Sequence, residues 1–326
     1  MLKTVVLTQP LGSECLSELA SQCDLQVLPN RQALSEQDTR DALAGCRGLI
    51  CLLTDTIDRS LLDAMPSLQF VSSVSVGVDH VDVEECARRG IPVGHTPGVL
   101  VDTTADAAFA LLLAAARRVA EGDRYIRGGN WRPDNRWSPD FFLGKDVSGS
   151  TLGIVGLGAI GQAVARRALG FGMRVIGWTP SNRAVPEVDS VSLDELLLRS
   201  DFVSIHLALS DSTRNLLDAQ RIATMKPGVV LVNTARGGIV NELALAEALE
   251  SGRIYAAGLD VFEQEPIALD NPLLQHPRVV LVPHIGSATT LTRAKMVDLA
   301  VRNALAALQG QRMPHCVNPQ VYSTLT

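Results

Sequence analysis

Short apolar, β-branched runs alternate along this chain with stretches in which apolar residues recur at helical spacing. In the first third, runs at 4–8, 48–53 and 70–73 are followed by helical patterns at 12–22, 60–64 and 81–89. Such alternation predicts parallel strands joined by crossover helices. A long helical pattern from 103 to about 127 closes this set, and an irregular stretch at 128–139 follows it. From 150 the alternation resumes, with strands predicted at 151–155, 174–178, 202–206, 229–233 and 256–261. Between them lie a helix running to about 171 and helices at 193–199, 219–224 and 242–251. This second set predicts a doubly wound α/β domain. A last strand signal at 279–282 precedes a helical tail, 288–310, which is expected to pack back on the first set.

Composition narrows the field. The 326 residues are 46% hydrophobic and carry 29 Lys+Arg against 35 Asp+Glu, a net charge of −6. At about 100–200 residues per domain the length predicts two domains. Without a run of Lys or Arg, the chain lacks the electrostatic footprint that nucleic acid or an anionic membrane demands. The most apolar stretch, 107–116, reaches about half the length needed to cross a bilayer and is expected to be a buried helix. The N-terminal apolar run is too short for a signal peptide and reads as a first strand. Cys15, Cys23, Cys46, Cys51, Cys86 and Cys316 show no CxxC spacing, which fits reduced thiols in a cytoplasm. No histidine pair has metal-ligand spacing, so no metal site is expected.

The strongest local motif is Gly156-Leu-Gly158-Ala-Ile-Gly161, placed after an apolar strand and at the mouth of a helix. Gly156 permits a tight turn, Gly158 puts no Cβ in the path of a pyrophosphate, and Gly161 lets the helix sit close on the strand. The helix N-terminus then offers free N–H groups and a favourable dipole to phosphates. An NAD-specific site would carry a carboxylate at the end of the next strand. Here the strand ends in Thr179, followed by Pro180, Ser181, Asn182 and Arg183. A 2′-phosphate would be welcomed by Ser181, Asn182 and the Arg183 guanidinium, which favours NADP(H) and leaves NAD(H) as the alternative. Without such a phosphate, the same residues would make a solvated turn with an incidental arginine.

Beyond this loop, the chain resembles the D-isomer-specific 2-hydroxyacid dehydrogenase family along nearly its whole length. The resemblance rests on Val74-Ser-Val-Gly77-Val-Asp, Thr96-Pro-Gly, Thr104-Ala-Asp106, the glycine loop, Asn233-Thr-Ala-Arg236-Gly237, Gly258-Leu-Asp260 with Glu265-Pro, and Pro283-His284-Ile-Gly286-Ser287. The wording at 72–77, 283–290 and 317–322 is most similar to the bacterial glyoxylate/hydroxypyruvate reductases that also act as 2-ketogluconate reductases. The resemblance implies two doubly wound parallel-sheet domains. A flavodoxin-like substrate domain would comprise 1–99 and 287–326, and a Rossmann-type dinucleotide-binding domain 100–286. One departure is Ala208, where the family usually has proline two residues beyond the position of His206.

Reduction of a 2-oxo acid needs a cation for the carboxylate, a proton donor beside the carbonyl oxygen, and a group that keeps the donor charged. Arg236 emerges at the carboxyl end of a predicted strand, where ligands of α/β sheets bind. The resemblance implies Arg236 as substrate binder, His284 as acid/base and Glu265 as its partner. A carboxylate there would favour the protonated imidazole and raise its pKa. Taken alone, these three would read as a surface ion-pair partner, a capping or core histidine and a solvated glutamate. The family's carboxylate clamp maps onto the N–H groups of Val76 and Gly77, a small anion nest, or otherwise an ordinary turn. Cofactor contacts are implied at Ala159, Ile160, Thr179, His206, Thr234, Ala235, His284 and Gly286, with Thr104 and Asp260 on the nicotinamide side. Thr104 and Asp260 could instead be caps.

These residues imply an NADP(H)-dependent reductase of glyoxylate, hydroxypyruvate or 2-ketogluconate, yielding D-2-hydroxy acids. Phosphite, formate and 3-phosphoglycerate dehydrogenases are the enzyme alternatives. Glu265 speaks against formate, and the absence of an appended regulatory domain weakens phosphoglycerate. A nucleotide-sensing, corepressor-like binding protein is the alternative from another class. A homodimer is expected through the 103–127 pattern and the stretch after it, with Trp131, Trp137 and Phe141 as anchors, unless these cover a core.

Overall fold

The computed structural model describes residues 3–12, 15–29, 34–181 and 185–323. The chain divides into two compact units, Met1–Leu100 with Thr289–Thr326, and Val101–Ala288.

In the first unit, five parallel strands lie in the order β2-β1-β3-β4-β5, the doubly wound order in which the chain starts at the second position and reverses once. The strands are β1 (Thr4–Leu7), β2 (Asp24–Val27), β3 (Gly48–Cys51), β4 (Phe70–Ser73) and β5 (Val93–Gly94). The central strands β3 and β4 are buried at every position, whereas the edge strand β2 is largely exposed. One face carries α2 (Glu36–Leu43), α3 (Arg59–Asp63) and α4 (Val83–Arg88), whose Leu43, Leu62 and Cys86 join a core with Val6, Leu49 and Val71. The other face is covered by α1 (Cys15–Gln22) and, from the far end of the sequence, α11 (Thr290–Leu308). Met296, Val297, Ala300, Val301 and Ala304 form the buried stripe of α11, and Ser72 Oγ on β4 donates to Ala300 O at 2.8 Å.

In the second unit, seven parallel strands run β12-β11-β10-β9-β6-β7-β8. They are β6 (Thr151–Val155), β7 (Arg174–Trp178), β8 (Asp189–Ser190), β9 (Phe202–Ile205), β10 (Val229–Asn233), β11 (Ile254–Leu259) and β12 (Val279–Leu281). Alternate residues serve opposite faces, as a pleated sheet requires. Leu152, Ile154, Phe202, Val230 and Val232 meet α5 (Val101–Ala116) and α7 (Ala159–Gly170). Val155, Val203, Ile205, Val229 and Leu231 meet α8 (Leu193–Arg199), α9 (Ala219–Thr224) and α10 (Glu242–Glu250). Near-continuous Val/Ile/Leu runs follow from burial on both faces.

The single long helix expected from 103 to about 127 is instead two, α5 and α6 (Val119–Arg127). Arg118 breaks it with a left-handed φ of 56°. The returning chain explains the stop: Lys145 N–H takes the Ala116 carbonyl at 2.8 Å, and Gly144 passes so close that a Cβ there would lie 2.6 Å from the same oxygen. Arg118 is held in place by Glu121 at 2.7 Å and stacks 4.4 Å from the Phe142 ring centre. Among the described residues, no helix is long and apolar enough to cross a membrane.

Candidate active site

The strand order of the second unit reverses at β6, whose neighbours are β9 and β7. The glycine loop leaves β6 at this switch point, where ligands of open α/β sheets bind. Each glycine meets a different demand. Gly156 has φ 106°, and a Cβ on it would lie 2.5 Å from His206 O. A Cβ on Gly161 would lie 2.0 Å from Gly156 O, so α7 is seated directly against the loop. Gly158, the N-cap of α7, faces open space, with nothing within 4 Å of a Cβ. Protein thus crowds the loop from two sides and leaves clear the side on which a pyrophosphate would meet the first turn at Ala159 and Ile160. It is the main chain of His206 that lies beside the loop; its ring hydrogen-bonds Ser204 Oγ at 2.8 Å. Burial pushes this imidazole down to about 3, so it is neutral.

At the end of β7, Thr179 Oγ1 and Ser181 Oγ are 3.5 Å apart, and no carboxylate occupies position 179. Asn182 and Arg183 lie outside the described residues. Beside this strand end opens a cavity of about 360 Å³ lined by Trp178, Pro180, Leu193, Thr213 and Leu216, with Asp194, Ser212 and Arg221 among its polar residues.

Three further strand exits carry Arg236, Glu265 and His284. After β10, the buried Asn233 organises the turn: its Oδ1 accepts from Ala235 N–H at 3.0 Å, and its Nδ2 donates to Arg236 O at 2.8 Å. The Arg236 guanidinium donates to Ala235 O at 2.8 Å and is half-buried. A Cβ on Gly237 would lie 1.8 Å from Phe262 O, so this turn packs directly on the loop after β11. In that loop Phe262 N–H donates to Glu265 Oε1 at 3.1 Å, and Glu265 Oε2 meets His284 Nδ1 at 2.7 Å. Burial raises the Glu265 carboxyl, but the His284 hydrogen bond and charge, the Phe262 N–H and the Arg236 charge outweigh it and hold the group below the usual glutamate range. The loop after β12 brings in His284 with a left-handed φ of 51°.

Asp260 holds that loop. Its Oδ1 accepts from Ile285 N–H at 2.5 Å and its Oδ2 from Gly286 N–H at 2.8 Å, while His284 N–H donates to Asp260 O at 3.0 Å. Burial pushes its carboxyl above the usual aspartate range; the two loop N–H groups and the His284 charge oppose this, and Glu265 adds to it. A Cβ on Gly286 would lie 2.8 Å from Asp260 Oδ2 and 3.4 Å from Thr104 Cγ2, so Thr104, Asp260 and Gly286 form one buried group. Thr234 is buried with Oγ1 unpaired among the described residues. An unpaired buried hydroxyl beside open strand ends, together with the cleared face at Gly158, fits a polar, phosphate-bearing cofactor.

The first unit holds Val76 and Gly77, in the bend after β4. Both are half-buried, and among the described residues neither N–H is bonded to an acceptor. The sequence offered no sign of how firmly this bend is held, nor of Asn233 as a turn organiser, although a lone amide ending an apolar strand is a usable signal.

Comparison with known proteins agrees with this arrangement. Residues 109–286 match the model of the D-isomer specific 2-hydroxyacid dehydrogenase NAD binding domain. The glyoxylate reductase of Korarchaeum cryptofilum is 45% identical over 321 residues, 97% of this chain and 96% of that protein. The crystal structure of the TT0316 protein of Thermus thermophilus superposes with a TM-score of 0.89 at 44% identity, covering 96% of this chain and 99% of the other. The NADPH-dependent glyoxylate/hydroxypyruvate reductase of Sinorhizobium meliloti, solved with NADP and malonate, gives a TM-score of 0.86 at 30% identity, with 98% of each chain covered. Two parallel α/β sheets, the glycine loop and the matched length make this chain a member of the D-isomer-specific 2-hydroxyacid dehydrogenase family, an oxidoreductase of the glyoxylate reductase type.

Proposed function

We propose that this protein reduces small 2-oxo acids to D-2-hydroxy acids with NADPH. The observation that carries the reading is the His284–Glu265 pair, 2.7 Å apart on neighbouring strand exits and within reach of the Arg236 charge. A nicotinamide cofactor, when bound, would supply hydride for substrate C2. Arg236 holds the carboxylate and draws electron density from the ketone oxygen. His284, with Nδ1 committed to Glu265, turns Nε2 to that oxygen and delivers the proton. Glu265, held below the usual glutamate range, remains a carboxylate and fixes the orientation of the ring through Nδ1. Asp260 keeps the His284 loop in place, and the N–H groups of Val76 and Gly77 clamp a substrate carboxylate. In the opposite direction His284 accepts the proton.

For the cofactor, the glycine loop would take the pyrophosphate at Gly158, Ala159 and Ile160. The cavity beside Trp178 and Pro180 would take the adenosine end, and Thr104, His206, Thr234, Ala235 and Gly286 would hold the remainder. Absence of a carboxylate at 179, hydroxyls at Thr179 and Ser181, and the NADP complex of the Sinorhizobium meliloti relative support NADPH over NADH. Asn182 and Arg183 would bind the 2′-phosphate.

The substrates are glyoxylate, hydroxypyruvate and 2-ketogluconate, and the chain acts as a homodimer in the cytoplasm without nucleic acid or membrane partners. Val119, Ile126, Trp131, Trp137 and Leu143 expose large apolar side chains near one another in sequence, which supports a dimer surface at α6 and the stretch after it. Phe141 belongs instead to an aromatic cluster with Tyr125 and Phe142, at 6.0 and 5.2 Å between ring centres. Measuring kcat/KM for the three 2-oxo acids with NADPH and with NADH tests the proposal. Turnover with NADPH at least about tenfold better than with NADH is expected. Cofactor binding without turnover of any 2-oxo acid, or oxidation of phosphite instead, would overturn it.

A further inference from the structure

The bend that carries Val76 and Gly77 is held by hydrogen bonds to all three of its carbonyls. In a planar trans peptide the carbonyl and the following N–H point in opposite directions, so fixing one aims the other. Ser75 O accepts from Thr96 N–H at 2.8 Å, which aims the Val76 N–H away from β5. Val76 O meets His95 Nδ1 at 3.0 Å, which aims the Gly77 N–H. Gly77 O accepts from Ser75 Oγ at 2.7 Å. Because that carbonyl can only accept, the Ser75 hydrogen is spent there. Ser73 Oγ, 2.7 Å from Ser75 Oγ, then donates to it, and His80 Nε2, 2.9 Å from Ser73 Oγ, is the donor at the head of the chain. Ser73 and Ser75 are buried.

The same logic fixes His95. A carbonyl accepts only, so the Nδ1 of His95 carries a hydrogen. A donor on the carbonyl of a peptide polarises that peptide and strengthens its own N–H as a donor. His95 is itself clamped: its N–H donates to His315 O at 3.1 Å, and its carbonyl accepts from Asn303 Nδ2 at 2.9 Å. Asn303 is fully buried on α11, and its Oδ1 accepts from His315 N–H at 3.0 Å. Gly94 leaves it room, since a Cβ there would lie 2.9 Å from Asn303 Nδ2.

We propose that His95 is a positioning residue for substrate, aiming and polarising the Gly77 N–H toward the carboxylate through the Val76 carbonyl, with α11 holding the imidazole in register. This rests on the assignment of the substrate carboxylate to Val76 and Gly77. A donor removed from one side of that peptide leaves kcat to the reacting groups and weakens the grip on the anion.

The test uses the full-length protein saturated with NADP and titrated with oxalate, an unreactive carboxylate analogue of glyoxylate. Valine carbonyl-¹³C with glycine ¹⁵N labelling marks the Val–Gly junctions at 76–77, 93–94 and 155–156. In the unaltered protein the Gly77 amide shifts on oxalate addition. In His95→Leu, or in His95→Phe should the first not fold, the oxalate Kd and the glyoxylate KM rise roughly three- to tenfold, while kcat and the NADPH KM stay within about twofold. His95→Gln, which restores an N–H donor, recovers most of the loss. If the Gly77 amide responds but the apolar variants bind oxalate as the unaltered protein does, the role of His95 is refuted and the carboxylate clamp stands. A Gly77 amide that does not respond removes the clamp and the His95 role with it. A fall in kcat, NADPH affinity and melting temperature together marks His95 as merely structural and also refutes the proposal.

Discussion

Two regions of one sheet edge are built on opposite principles. The loop between β6 and α7 is shaped by what its glycines lack: a Cβ at 156 or 161 would strike backbone, and at 158 it would meet only open space. The exits of β10, β11 and β12 are shaped by side chains that seize backbone, Asn233 holding 235–236 and Asp260 holding 284–286. The first region leaves an open face of main chain at Gly158. The second holds an ionisable pair, His284 and Glu265, 2.7 Å apart. On the proposed function, binding by backbone and chemistry by clamped side chains occupy separate strand ends and should be separable by mutation.

The largest effect that would sharpen this division is expected from Arg236→Ala. On the proposed role, losing the guanidinium's hold on the substrate carboxylate and ketone should lower kcat/KM for glyoxylate by roughly 10²–10⁴-fold, with NADPH affinity changed by no more than about threefold. Steady-state kinetics with a fluorescence titration of NADPH checks both halves. Asp260→Asn comes next. The amide can still accept one loop N–H but turns an NH₂ group toward the other, leaving a buried donor unpaired at about 1–3 kcal/mol. A kcat lower by roughly ten- to a hundredfold is expected. An unchanged kcat would mean that the His284 loop does not depend on this clamp.

Glu265→Gln should give the smallest change, visible in pH dependence. Glu265 lies below the ordinary glutamate range, so its contribution to the fold is present above that ordinary value and is lost only as pH falls through the lowered one. At neutral pH it carries a full negative charge 2.7 Å from His284 Nδ1. Glutamine removes this charge, so reduction, which consumes the proton, should fail at lower pH on its alkaline side. Profiles of kcat/KM for the two proteins provide the comparison, and superimposable alkaline limbs would remove Glu265 from the proton step.

The same contrast explains what the sequence disclosed. Glycine spacing encodes shape directly, so the loop, the tight turn at Gly156 and the close approach at Gly161 were legible, as were most of the strands with continuous Val, Ile and Leu. The resemblance named Arg236, Glu265 and His284, but spacing could not reveal that Asp260 uses both oxygens on Ile285 and Gly286. That partnership joins loops that follow different strands. The edge strand β2 was missed because it is mostly exposed and carries no apolar run, and α2 because its residues are largely polar behind the Ser35 cap. The break between α5 and α6 was invisible for a related reason: helical periodicity continues through it, and Lys145 closes the helix from a distant point in the chain.

The most direct measurement takes His284→Ala and Gly158→Ala side by side, recording for each the NADPH Kd and the single-turnover rate of glyoxylate reduction at saturating cofactor. His284→Ala should lose roughly 10²–10⁴-fold in rate with little change in Kd. Gly158→Ala should fold normally, since nothing lies within 4 Å of the added Cβ, and should weaken Kd while its saturated rate stays near that of the unaltered protein. Kd and rate falling together in both variants would contradict the separation of backbone binding from side-chain chemistry.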